Sequence, residues 1–227
     1  MSPEKKNPVR EERKEWARAQ RQERIISITA RLLAKRDIED ITLEEIAKSA
    51  GYTIQNLYMY FKNKDDLLAA VLLKKLKVLH SEMEAMVAKA GSGMEQIMVI
   101  GEKFVDFYVK NRIYFDLEMR FEKKFYVYHR LPVRKTHGDF IVQCQKVTDQ
   151  FGDMLVSAIE SGIADGSIKT RLKPLHLMLL LWAQSLGVVQ VITMRQKYFK
   201  DIYDFSAEKF RNIFRDSVLA YLAVGDQ

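Results

Sequence analysis

The chain has 227 residues, with 37 Lys and Arg against 30 Asp and Glu (net charge +7), 10 Gly, 4 Pro and a single Cys. That length is enough for one large domain or two small ones with a real core. One cysteine excludes an intrachain disulfide framework and makes a reducing compartment the default; Cys144 reads as a small buried hydrophobe rather than a redox switch. Scarce Gly and Pro, with apolar residues recurring every three or four positions, predict an all-α protein. Residues 1–64 hold 14 basic and 10 acidic side chains, so +4 of the net +7 sits in the first quarter. This skew fits a polyanion partner at that end, although a solvated basic face would look the same.

In chain order, residues 1–20 are a charged lead-in with no apolar run, so they are not read as a secretory signal. Helix is expected from about residue 9 to 36, with Ile25, Ile28, Thr29, Leu32 and Leu33 on its core stripe. Trp16 stands nine positions before Ile25, half a turn out of phase, so it lies off that stripe. It could pack on a neighbour, on a duplex, or on nothing.

The stretch TLEEIAKSAGYTIQNLYMYFKNK, Thr42 to Lys64, is the most informative. It reads as two short helices, about 42–49 and 53–60, joined by a tight turn. Thr42 and Glu45 form a capping box. Gly51 stops the first helix because glycine takes φ > 0 without a Cβ clash. Thr53 caps the second, which buries Leu57 and Phe61 and exposes Thr53, Ile54, Gln55, Asn56 and tyrosines. Such a helix, held by a neighbour, is what major-groove reading requires; a plain helical hairpin in an all-α core is the bland alternative. Asn63 then caps a helix running to about residue 90. Lys64, in its first turn, opposes the helix dipole, which invites an anion such as a DNA phosphate.

Gly91-Ser92-Gly93 breaks the chain, and Ser92 with Glu95 opens the next helix. An aromatic helix is expected around 113–126, then a loop over 127–135. A long helix over about 136–161 should end at Gly162 and Gly166. Pro174 starts an uncharged helix and Ser206 caps the last one. The stretch from Leu175 to Met194 carries no Asp, Glu, Lys or Arg and is long enough to cross a bilayer. His176, Gln184, Ser185 and Gln190 interrupt it, so a bundle centre or subunit interface is the preferred reading and no membrane partner is expected. His80, His129, His137 and His176 have no metal-ligand spacing. No phosphate loop or nucleophile elbow occurs, so neither an enzyme, a metal site nor a cofactor is expected.

The run RIISITARLLAKRDIEDITLEEIAKSAGYTIQNLYMYFKNKDDLLAAVL resembles the N-terminal domain of the tetracycline-repressor (TetR) family of transcriptional regulators. The match lies in Thr42, Ile46-Ala47, Ala50-Gly51, Leu57-Tyr58, Tyr60-Phe61, Lys64 and Leu67-Leu68. A weaker likeness continues through 160–168 and the apolar helix holding Gly187. The chain departs from the family at Asp37-Ile38 and at Gln55, where glycine is usual. The resemblance implies a helix-turn-helix DNA-binding domain over residues 1–64, joined rigidly to a helical effector-binding and dimerisation domain over 65–227. It implies DNA contacts at Thr42, Thr53, Ile54, Gln55, Asn56, Tyr58, Tyr60 and Lys64. Gln and Asn suit an adenine edge, Ile54 a thymine methyl, and tyrosine hydroxyls phosphate. It further implies a homodimer on a near-palindromic operator, and a cytoplasmic repressor released by a small, largely apolar or aromatic effector. The expected pocket comprises Phe104, Phe107, Tyr108, Phe115, Met119, Phe140, Phe151, Met178 and Trp182, with ordinary core packing as the alternative for each. The expected dimer face comprises Leu179, Leu186, Val189, Phe210, Phe214 and Val218. A protein partner in place of a small molecule, or activation in place of repression, is the alternative.

Overall fold

Helices account for all regular structure among the described residues, 8–126 and 138–224, of the computed structural model. They are α1 (Pro8–Leu33), α2 (Leu43–Ala50), α3 (Ile54–Tyr58), α4 (Lys64–Val87), α5 (Gly93–Lys110), α6 (Arg112–Phe121), α7 (Asp139–Ala164), α8 (Pro174–Tyr203) and α9 (Ala207–Val224). A 3-10 turn covers Ile38–Asp40, and a π-helical turn, Glu122–Tyr126, extends α6. The expected loop at 127–135, the start of α7 at residue 136, His129 and His137 lie outside the described residues.

The chain divides into two compact units. One holds the described residues through Lys74 with those of Lys123–Cys144; the other holds Lys75–Glu122 with the described residues from Gln145 onward. In the first, α1 packs on α2 and α2 on α3. Ile25, Ile28, Thr29 and Leu33 of α1 are buried, as are Ile46, Ala47 and Ala50 of α2 and, further on, Leu57 and Phe61. Asp66, almost wholly buried, holds two segments at once: its carboxylate accepts from Lys62 N at 3.1 Å and from Phe140 N at 3.0 Å. The Cys144 thiol, buried as expected, donates to the Ala69 carbonyl at 3.2 Å.

In the second unit, Ile97 and Ile100 of α5, Ala158 and Ile159 of α7, Leu177 and Leu181 of α8, and Val218 and Leu222 of α9 make one core with Ile168. Gly162 does not end α7, which runs on to Ala164. A Cβ built on Gly93 would lie 2.0 Å from Gly162 N, so the glycine pair lets the start of α5 meet α7 backbone to backbone. Asp165 and Ser167 then cap that start, accepting from Gly93 N at 2.8 Å and Met94 N at 3.1 Å. α8 is long and apolar enough to span a membrane by length and composition. Only one stripe of it (Leu177, Leu181, Val188, Val189, Ile192) is buried, so its apolar surface continues onto an open face.

Candidate nucleic-acid interface

The helix-turn-helix is built from local signals. Thr42 Oγ1 accepts from Glu45 N at 3.1 Å and starts α2, a cap worth about 1 kcal/mol. The Glu45 carboxylate pairs with Arg36. Gly51 ends α2 at φ 77°, and its left-handed turn lets Tyr52 N reach Ala47 O at 2.9 Å. Thr53 Oγ1 then accepts from Asn56 N at 3.3 Å and starts α3.

Leu57 and Phe61 are buried, which fixes the rotation of α3 and leaves its other side chains outward. Thr53, Gln55, Tyr58 and Met59 are exposed; Ile54, Asn56 and Tyr60 are half-buried. The outward side of this short helix thus offers amides, a hydroxyl and a phenol with little charge. Thr42 is exposed, and since its oxygen serves the cap as acceptor, its own hydroxyl proton stays available to a phosphate oxygen. Lys64 is half-buried and donates to the Ile38 carbonyl at 2.7 Å. A protein partner therefore holds one of its protons, and two remain for a phosphate.

Sequence reasoning missed the residues that brace α3 from α1. Arg18 donates to the Met59 carbonyl at 2.9 Å and lies 5.4 Å over the Tyr60 ring. Gln22 Nε2 donates to the Tyr60 carbonyl at 3.3 Å, and Arg21 bonds the Tyr60 hydroxyl, which raises its pKa further. The signal was present as Arg18, Arg21 and Gln22 on one side of a long helix, but their target is some forty residues away. Trp16 is 68% exposed, off the buried stripe of α1.

In the second unit, the residues expected to form a pocket are partly gathered. Phe104 and Phe107 stand edge-on to Tyr108 at 4.8 and 5.0 Å between ring centroids, and Tyr108 edge-on to Phe115 at 5.7 Å. Phe151 meets His80 at 5.1 Å, Met178 packs on the unit's core, and Met119 and Trp182 are half-buried. Phe140 belongs to the first unit, where it packs on Phe61 at 5.6 Å. The sequence reading overlooked Glu118. It is buried, Tyr108 and Thr148 hydroxyls reach its carboxyl, and its Oε2 has no hydrogen-bond partner. Burial, then repulsion from Glu122, pushes its pKa up to about 8, and burial pushes Glu122 to about 7.

The open face of α8 and α9 carries a groove of about 460 Å³ lined by Leu180, Gln184, Gly187, Val191, Phe210 and Phe214, among others. Leu179 is 47% exposed, and Leu186, Phe210 and Phe214 are half-buried. Val189 is fully buried and faces inward, while Val218, nearly buried, lines the floor of the groove.

Residues 25–71 match the family described as bacterial regulatory proteins, tetR family. The fatty acid metabolism regulator protein of Bacillus subtilis strain 168 is 22% identical over 145 residues, which are 64% of this chain and 69% of that protein. Two solved structures share the fold. The transcriptional regulator FadR from Bacillus subtilis, in complex with stearoyl-CoA, superposes with TM-score 0.63 at 17% identity over 90% of this chain and 98% of that one. AibR, in complex with isovaleryl coenzyme A and operator DNA, gives 0.59 at 18% identity over 89% and 98%. Residues 25–71 thus carry the helix-turn-helix of the tetR family of bacterial regulatory proteins, and the chain shares the helical fold of these solved regulators over nine-tenths of its length.

Proposed function

We propose that the chain is a cytoplasmic repressor that binds a near-palindromic operator as a homodimer and leaves it when a small, largely apolar effector binds. Residues 1–64 hold the DNA, and 65–227 bind the effector and the second copy. Thr53, Ile54, Gln55 and Asn56 read base edges, while Thr42, Tyr58, Tyr60 and Lys64 meet the backbone. The observation that carries the reading is α3 itself: its outward side chains are those that pair with base edges, and its inward ones fix their register.

The dimer reading rests on the α8–α9 groove and on Leu175, Leu179, Leu180 and Ile213 exposed around it, an apolar patch that a monomer would expose to water. A two-fold dimer would place its half-sites about 34–36 Å apart. For the effector, the edge-on rings of α5 and α6 supply apolar contact, and Glu118 supplies one buried polar group. The acyl-CoA complexes of two proteins of this fold favour an acyl group as the apolar part. Gel shift against the upstream intergenic region, repeated with long- and short-chain acyl-CoAs and with aromatic acids, tests the whole. Release by any of these supports it, whereas calorimetry that finds only polyanions lacking an apolar part as ligands would contradict the effector class. Leu180→Glu should yield monomers in sedimentation and weaken operator binding at least tenfold.

A further inference from the structure

α1 runs for 26 residues, although its buried stripe begins only at Ile25. The first half is amphipathic in charge rather than in hydrophobicity. At 100° per residue, Arg10, Arg13, Lys14, Arg18, Arg21 and Arg24 fall within an arc of about 140°, and Glu11, Glu12, Glu15 and Glu23 within an opposing arc of about 120°. All six basic side chains are exposed. Lys14 pairs only with Glu11, at 2.9 Å on the surface, and Arg10, Arg13 and Arg24 have no partner among the described residues.

The arc is also aimed. Arg24 Nη2 lies 3.9 Å from the position a Cβ would take on Gly51, at the turn of the helix-turn-helix. Arg21 and Arg18 reach Tyr60 and Met59, at the far end of α3. The basic arc thus follows the face that carries the turn and the recognition helix. Its remaining members, Lys14, Arg13 and Arg10, continue that line past the end of α3. From Arg18 to Arg10 is eight helical residues, about 12 Å. At about 3.4 Å per phosphate along each strand, that span covers three to four base pairs. Trp16 sits about 130° from the centre of the arc, so it takes no part.

We propose that the N-terminal half of α1 is a second DNA-binding surface, in which Arg10, Arg13 and Lys14 neutralise backbone phosphates flanking the sequence read by α3. The proposal rests on the DNA-binding reading of α3 but adds contacts that carry no base information. Apart from the Lys14–Glu11 pair at the edge of the arc, the cations and carboxylates of this stretch lie on different sides of the helix, so the positive field is concentrated on the basic side. Guanidinium groups match phosphate geometry and need no fixed register to do so.

The test uses the full chain and the duplex that the wild type selects from a random-sequence library. The triple variant Arg10→Gln, Arg13→Gln, Lys14→Gln changes only exposed positions, and circular dichroism checks that its helix content is retained. Log affinity against log salt should be shallower by about 2–3 than for the wild type, with the ranking of mismatched operators unchanged. Trimming four base pairs from each end of the duplex should weaken the wild type to the level of the variant and leave the variant unaffected. Equal salt slopes and equal length dependence for the two proteins would overturn the proposal. So would loss of binding to phosphatidylglycerol vesicles with DNA affinity intact, which would assign the arc to a membrane surface. Gln55→Ala with Asn56→Ala separates the two readings: if operator ranking survives that change, α3 is not the reader, while the salt-slope result still decides the role of the arc.

Discussion

The ammonium of Lys64 donates to the main-chain carbonyl of Ile38 at 2.7 Å, tying the first turn of α4 to the segment that leads into α2. This contact explains how a cation is tolerated in the first turn of a helix: its charge is partly spent on a carbonyl. It also gives the residue two separable roles. Lys64→Ala should lower stability by about 0.5–1.5 kcal/mol through the lost bond, read by urea unfolding. It should also make the salt dependence of operator binding shallower by about 0.9, the effect of one phosphate contact. A stability loss with an unchanged salt slope would leave Lys64 as a structural residue alone.

Two glycines of α5 should respond in opposite directions. Gly93→Ala drives a methyl group into the Gly162 backbone, where no side chain can yield, and should destabilise by about 1–3 kcal/mol. Gly101 lies mid-helix with nothing within 4 Å of a built Cβ, so Gly101→Ala should stabilise by about 0.5–1 kcal/mol. Thermal or urea unfolding of both variants reads the contrast.

Glu118 makes stability depend on pH in a stated direction. Its carboxyl titrates at 4.5 when unfolded and at about 8 when buried in the folded chain, so between these values the folded state holds the extra proton. The stability associated with the group is therefore complete below pH 4.5 and is lost as pH rises towards 8. Glu122, raised to about 7, acts in the same sense over a narrower window. Glu118→Gln should flatten the fall in stability between pH 5 and about 8 in urea titrations at fixed ionic strength. An unchanged slope would mean that the carboxyl is already ionised in the folded protein.

What could be read in advance divides by distance along the chain. Thr42, Gly51, Thr53, Asn63 and Ser206 act on atoms within a few residues, so their capping roles were visible in the sequence. Gly162 reads as a helix end because a glycine that permits close approach looks the same in sequence as one that breaks a helix. α8 is apolar nearly all round, so its pattern did not say which stripe faces inward. Val189, expected at the dimer face, is fully buried, whereas Leu180, Gln184, Gly187 and Val191 line the open groove. The contacts of Arg18 with Met59 and of Asp66 with Phe140 span 41 and 74 residues and left no periodic trace.

The claim that α3 reads sequence is tested most directly by replacing its two amides. Wild type and the Gln55→Ala, Asn56→Ala variant are titrated against the selected operator and against single-base-pair mismatches at fixed salt. The expected result is discrimination reduced by about 1–3 kcal/mol at the base pairs those amides contact, with the salt slope preserved. Undiminished discrimination at every position would contradict the assignment of α3 as the recognition helix.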